Sequence, residues 1–320
     1  MKKVLTFIFI LFFGMSLSGY ASSKPADSTN NKHWKYKGEY NVMMNQISFS
    51  NWATGGESAV TGQATIDYLL KYKKKRFSFT HSAHMAYGIS GYFNKGVEKT
   101  DDKLDLNFTV SHKMSKKWEF SGMAIFKSQF TNGYNYPNDS VLASTFMAPG
   151  YLTVSLGLTF SPSKKLQMFI SPLAGKMTFV LNQDLANKGA YGVTKAVYDS
   201  LGDILVPGRR YFGQLGLNFL CTYKAKVMNN IHYLTNLNLY NNYIEPQPDM
   251  RWQVDMDWDN RFTFKINDHF VTLLYLHLKY NPKILFPEYG VVDGVNTVVA
   301  ERTRLQFKET FGLGITYKIN

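Results

Sequence analysis

The sequence predicts an all-β fold, a transmembrane antiparallel up-and-down β-barrel of about twelve strands. Three observations predict it. The chain opens like an exported protein, nearly everything after that opening alternates with period two, and the connections between alternating runs switch between short and long. The composition agrees. Of 320 residues, 45% are hydrophobic, 16% aromatic and only 18% charged, which excludes a disordered chain. A single cysteine excludes a disulfide scaffold and any multi-cysteine zinc site.

At the N-terminus, Lys2 and Lys3 precede an apolar run of 14 residues from Val4 to Leu17, and Ser18-Gly19-Tyr20-Ala21 then supplies small residues. This is the layout of a cleaved export signal, and it falls short of the roughly 20 residues that a spanning helix needs. Residues 1–21 are expected to be removed, residues 22–33 to form a polar flexible leader, and residues 34–320 to form the barrel.

In chain order, the runs fall near 36–50, 58–72, 77–88, 103–114, 118–131, 150–160, 166–182, 210–223, 231–243, 252–266, 270–281 and 302–319. In the fourth, Leu104, Leu106, Phe108 and Val110 alternate with Lys103, Asp105, Asn107 and Thr109. In the eighth, Leu215, Leu217, Phe219 and Tyr223 alternate with Gln214, Gly216, Asn218 and Thr222. The tenth sets Trp252, Val254, Met256, Trp258, Phe262 and Phe264 against Gln253, Asp255, Asp257, Asp259, Arg261 and Lys265. The last sets Phe311, Leu313, Ile315, Tyr317 and Ile319 against Gly312, Gly314, Thr316 and Lys318. Strands of soluble domains average roughly 5–6 residues, whereas a strand tilted across a bilayer needs about 9–11, and these runs have the longer form.

Short turns are expected at 73–76, 115–117, 161–165, 224–230 and 267–269, and long loops near 51–57, 89–102, 132–149, 183–209, 244–251 and 282–301. Short periplasmic turns and long extracellular loops are the outer-membrane pattern. In hydrocarbon every backbone polar group must be paired, and only a closed barrel does that with strands. Tyr72, Phe77, Trp118, Phe160, Tyr223, Tyr243, Trp252 and Tyr280, near run ends, suit interfacial belts. A soluble barrel would show the same alternation with its two faces exchanged.

Several separated motifs carry a family resemblance. They are Asn45 to Glu57 (NQISFSNWATGGE), Lys99 to Leu104 (KTDDKL), Phe126 to Phe130 (FKSQF) with Gly133-Tyr134, Phe146 to Leu152 (FMAPGYL), Ser171 to Lys176 (SPLAGK) and Gln306 to Glu309 (QFKE). By these the chain, from about Lys35 to Ile319, resembles an uncharacterised domain-of-unknown-function family of Bacteroidetes outer-membrane barrel proteins. The resemblance implies an envelope location in a Gram-negative bacterium and the barrel, but no activity, cofactor or ligand. Barrels of this kind often end on an aromatic residue, whereas this chain ends Ile319-Asn320, with Tyr317 the nearest aromatic.

The first chemical candidate is Asp255, Asp257, Asp259 and Arg261, four charges on one strand face at spacings of about 6.5–7 Å. Facing a lumen, they favour cations or cationic solutes, as acidic rings do in pores. Alternatively they form an internal lattice with Arg304, Lys308 or Lys127. Their strand spacing is unlike a calcium-binding loop. The second candidate is the Asn51, Trp52, Gly55 and Gly56 loop, read as a rim anchor or a partner-docking loop. Asn132 to Asp139 is polar-aromatic loop chemistry, and Gln183 to Arg209 is long enough to fold inward as a constriction or plug.

Seven scattered histidines, with His81 and His84 on opposite strand faces, provide no metal pair, and none of the familiar catalytic motifs is present. No catalytic residue, metal or cofactor is expected. A barrel passing or binding small solutes leads, followed by a non-conducting envelope scaffold or receptor, and then a lipid-modifying enzyme.

The formal charge of +13 has a location. Lys73, Lys74, Lys75, Arg76, Lys113, Lys116, Lys117, Lys164, Lys165, Lys224 and Lys226 belong to the short turns or their edges. They predict a basic periplasmic rim for outer-membrane lipids, worth up to about 1 kcal/mol per charge at an anionic surface. An exported barrel has no nucleic-acid partner; an envelope protein partner is left open.

Overall fold

The computed structural model describes residues 33–47, 59–92, 96–135, 138–245, 252–292 and 295–319. The expected signal segment, nearly all of the leader and the Asn51–Glu57 motif lie outside the described residues. The barrel strands are β1 (Trp34–Ile47), β2 (Ala59–Lys74), β3 (Phe77–Tyr92), β4 (Gly96–Lys113), β5 (Trp118–Ser128) and β6 (Gly150–Phe160). They continue as β7 (Leu166–Phe179), β8 (Tyr211–Met228), β9 (Ile231–Asn242), β10 (Val254–Lys265), β11 (Phe270–Tyr280) and β12 (Gln306–Ile319). Each pairs with its neighbour in sequence, and β1 closes on β12 from Gly38 opposite Ile319 to Met44 opposite Leu313. The twelve strands form a closed barrel.

The outer face decides between the two readings that alternation left open. On β6, Val154, Leu156 and Leu158 are exposed while Ser155 and Thr159 on the alternate face are buried. On β12, Phe311, Leu313 and Ile315 are exposed and Thr316 is buried. Val42, Met44, Phe108, Val110, Phe120, Ile170 and Leu173 continue the exposed apolar face around the ring. Apolar side chains point away from the barrel and polar ones into it, the reverse of a soluble barrel. At the short-turn end aromatics meet across strands, Tyr72 on Phe77 at 6.2 Å and Trp118 on Phe160 at 4.6 Å between ring centroids. These are residues expected in an interfacial belt.

The twelve expected runs all appear, with shifted ends. The largest correction concerns 89–102, expected as a long loop. There β3 and β4 continue as a hairpin past a register shift at Gly88/Ile89, so strand pairing carries the chain to Tyr92 and back from Gly96. Polar, glycine-rich composition made this stretch look like a loop, although ladder hydrogen bonds tolerate it outside hydrocarbon. The 282–301 loop likewise holds a hairpin, Leu285–Val292 with Val295–Thr303, and β12 starts at Gln306. Between β6 and β7 the register shifts at Leu156/Leu158, where Ser171-Pro172 bulges. Gly157 is required opposite it, because a Cβ there would lie 2.1 Å from the Ile170 carbonyl oxygen.

Outward placement of Val154 predicts that Val154→Arg lowers folding stability in lipid vesicles by about 2–4 kcal/mol. Denaturant titration of vesicle-folded protein checks this, with Ser155→Ala on the inner face expected to cost far less.

Candidate functional site

The acidic ladder on β10 shares one face, which points into the lumen, and each rung meets a cation from a different wall. Asp255 pairs with Lys176 of β7. Asp257 takes Lys127 of β5 at 2.7 Å and His277 of the adjacent β11 at 2.7 Å. Asp259 takes Lys103 of β4 at 3.5 Å and accepts a hydrogen bond from the Tyr275 hydroxyl. Arg261 donates to Asp67 of β2 at 3.1 Å, and Asp67 also holds His84 of β3 at 2.8 Å. In ring order β10 and β4 are six strands apart in a ring of twelve, so the Lys103–Asp259 pair joins opposite walls. The lattice alternative is the arrangement found.

Two named lattice partners need reassignment. Lys127 does join the ladder. Lys308 of β12 faces the lumen but pairs with Asp101 of β4, at 2.6 Å, instead of the ladder. Arg304 leaves the lumen altogether and meets Glu288 of the 285–303 hairpin at 3.3 Å, because β12 begins two residues after it. Lys103, Lys176, Asp67, Asp101, His84, Tyr275 and His277 were not singled out in the sequence. Inward parity along each strand was the available signal, but parity does not say which rungs of twelve strands meet at one height.

Beside the ladder, where β12, β1, β2 and β4 meet, lies a cavity of about 240 Å³. Thr61, Gln63, Asp101, Lys308 and Thr310 supply its polar wall and Met43 its apolar floor. Gln63 donates to Asp101 at 2.5 Å, and Asn45 donates to the Phe311 carbonyl at 2.8 Å, so the polar wall is cross-braced. A smaller space of about 40 Å³ lined by Arg261, His84, Tyr275 and His277 connects the cavity lining to the ladder.

The connection from Gln183 to Arg209 folds inward as a packed cap. Helix α1 (Gln183–Asn187) starts on Asn182, whose side-chain oxygen accepts from the Leu185 N–H at 3.0 Å. Leu185 and Ala186 join Ala148, Val180 and Val193 in a buried apolar cluster against which Phe212 of β8 packs. Gly208 must be glycine, since a Cβ would lie 2.3 Å from the Ala186 carbonyl oxygen. Tyr191 donates to the Ala143 carbonyl at 2.7 Å, and burial pushes its phenol up to about 12, so it stays a donor. Asn132–Asp139 contributes Gly133–Asn135, paired with Asn138–Ser144.

Asp257, Asp259 and His277 offer ligand atoms within 4.8 Å of one another. The ammonium groups of Lys127 and Lys103 already hold those carboxylates, so the donor set is balanced by lysine charge and suits an ion-pair lattice better than a metal. His81 points outward and stacks on Phe108 at 4.3 Å between ring centroids, while His84 points inward to Asp67.

An apolar-outside, polar-inside closed barrel with a charge-filled lumen is a β-barrel of the outer-membrane class. Residues 44–134 match the profile of a family described as protein of unknown function (DUF3078), a span that holds the Asn45–Glu57, Lys99–Leu104 and Phe126–Tyr134 motifs. No curated protein sequence is significantly similar to the chain. Among solved structures, an outer-membrane channel from Pseudomonas putida F1 is 12% identical, with 89% of this chain and 94% of that one covered and a TM-score of 0.37. The translocator domain of the autotransporter NalP from Neisseria meningitidis is 8% identical over 98% and 96% of the two chains, with a TM-score of 0.35. The toluene transporter TodX of Pseudomonas putida is 8% identical over 89% of each chain, with a TM-score of 0.32.

The geometry predicts coupling across the lumen. Lys127→Met strands Asp257 with only His277 and is expected to cost about 2–4 kcal/mol, whereas Lys127→Met with Asp257→Asn costs less than the sum of the singles by about 1–3 kcal/mol. A double-mutant cycle by denaturant unfolding in detergent measures it.

Proposed function

We propose that this chain is an integral outer-membrane β-barrel that binds a small polar solute beside a lumen belt of ion pairs and passes solutes when that belt is displaced. One observation carries the reading. Every carboxylate of the β10 ladder is held by a cation from another wall, so the belt both crosses the lumen and can be exchanged pair by pair. Supporting it are the exposed apolar face and strands of 11 residues or more, long enough to cross hydrocarbon. The cavity beside the belt presents a cation, Lys308, an anion, Asp101, and amide and hydroxyl groups within one wall. Such a wall suits a small solute carrying both charge signs or several hydroxyls.

Planar-bilayer recording tests the reading. The wild-type barrel is expected to conduct weakly. Lys103→Ala with Lys127→Ala should raise conductance several-fold and turn it cation-selective, because Asp257 and Asp259 are then uncovered. Silence of both proteins after verified insertion favours the other reading, a non-conducting envelope scaffold whose docking element would be the Asn51–Glu57 loop.

A further inference from the structure

Pairing of the lumen charges differs along the barrel axis, with the exception of Lys279 of β11, whose ammonium lies 5.7 Å from the Tyr151 ring centroid. In the half toward the long loops, Lys99, Lys103, Lys127, Lys176, Lys283 and Lys308 each sit within 3.5 Å of a carboxylate. At the short-turn mouth the balance is different. Residues two apart on a strand share a face, so the inward faces of known rungs can be followed to the strand ends. Asp67 on β2 continues to Lys71, Arg261 on β10 to Lys265, Asp105 on β4 to Lys113, and Asn218 on β8 to Lys224 and Lys226. Met43 on β1, which lines the lumen cavity, continues to Lys37. Glu39 on β1 and Glu119 on β5 are the acids with the same inward parity at this end.

This corrects one part of the sequence expectation. Lys73, Lys113, Lys224 and Lys226 belong by register to the inner face of the mouth and not to an outward ring. Lys74, Arg76, Lys116, Lys117, Lys164 and Lys165 remain exposed at the turns and strand edges, with Lys75 at a turn apex. Lys71 and Lys37 are near enough to repel Lys224, although β8 and β2 stand six strands apart in the ring. Cations from opposite walls therefore converge on one space. Among the described residues, none of Lys37, Lys71 and Lys224 has a carboxylate within ion-pair distance, and all three are exposed to the mouth.

We infer that the inner face of the short-turn mouth, built on Lys37, Lys71 and Lys224, is a binding site for a small multivalent anion such as a phosphorylated or polycarboxylate solute. Convergent like charges with no carboxylate at ion-pair distance are costly to one another, and a multivalent anion relieves the repulsion of several lysines at once. A monovalent ion gains much less. Inward direction separates this site from lipid headgroups, which the outward turn lysines can reach and these cannot. The site lies toward the short turns from the solute cavity, since Lys37 and Lys71 follow Met43 and Gln63 of its lining along β1 and β2.

Isothermal titration of the full barrel in neutral detergent, with inorganic pyrophosphate as probe and monovalent chloride as background, tests the site. Pyrophosphate should bind the wild type, and Lys71→Gln with Lys224→Gln should weaken binding by at least about tenfold. Lys116→Gln with Lys164→Gln, at the turns, should change it less than about twofold. Retained heat-modifiable migration of each variant shows that the barrel is intact. Equal loss from the inner and turn pairs means general attraction to a basic surface and overturns the site, as does absence of pyrophosphate binding to the wild type. Binding of vesicles containing anionic lipid should follow the turn pair alone; dependence on Lys71 and Lys224 would assign them to lipid and overturn the proposal.

Discussion

Closure of the ladder between β1 and β12 is the constraint on which the remaining structure rests. A strand edge left open exposes a row of unpaired N–H and C=O groups, which hydrocarbon cannot solvate. Joining Gly38–Met44 to Leu313–Ile319 removes that edge and makes the two faces of every strand inequivalent, one enclosed and one not. Because side chains alternate, each strand must then place its whole apolar set outside or its whole polar set there. A slip of one residue would drive Asp255, Asp257 and Asp259 into the outer face together.

Enclosure also explains why the lumen is so highly ordered electrostatically. Charges held inside a narrow ring lose much of their water, and a charge there is tolerable only with a partner. The β10 ladder finds its partners on β4, β5, β7 and β11, while Asp67 and Asp101 find theirs on β10 and β12. These contacts run through the interior and link walls that share no backbone hydrogen bond. They supplement the ladder with bracing across the ring. Toward the short turns the mouth admits water, the requirement relaxes, and Lys37, Lys71 and Lys224 stand with no carboxylate of the described residues at ion-pair distance. The packed cap around Leu185, Ala186 and Phe212 takes the opposite solution at the other end, filling space with apolar side chains.

Much of the fold was legible because its signals are local. Alternation over ten or more residues located all twelve strands, and turn composition located most of their ends. Where the reading failed, the cause was physical. Residues 89–92 and 96–102 are largely polar yet paired, since a hairpin beyond the bilayer needs no apolar face. Residues 183–209 carry a helix of five residues held by tertiary packing and too short for periodicity to reveal. Half of the candidate site was visible in the same way: Asp255, Asp257, Asp259 and Arg261 share a face by spacing alone. Of their partners, Lys127 was among the cations expected, while Lys103, Lys176 and Asp67 lie 79 to 194 residues away in the chain with nothing local to mark them.

By itself the sequence determined where the twelve barrel strands lie, which of each strand's faces is apolar, and that positive charge gathers at the short turns. Those properties follow from periodicity and composition within one strand or turn. Tertiary structure alone decided that the apolar face points outward, that the carboxylate ladder is neutralised across the lumen, and which lysines turn into the mouth and which toward the rim. Each depends on the height at which distant strands meet around a closed ring. That height is set by the accumulated register of twelve pairings and has no counterpart in any one of them.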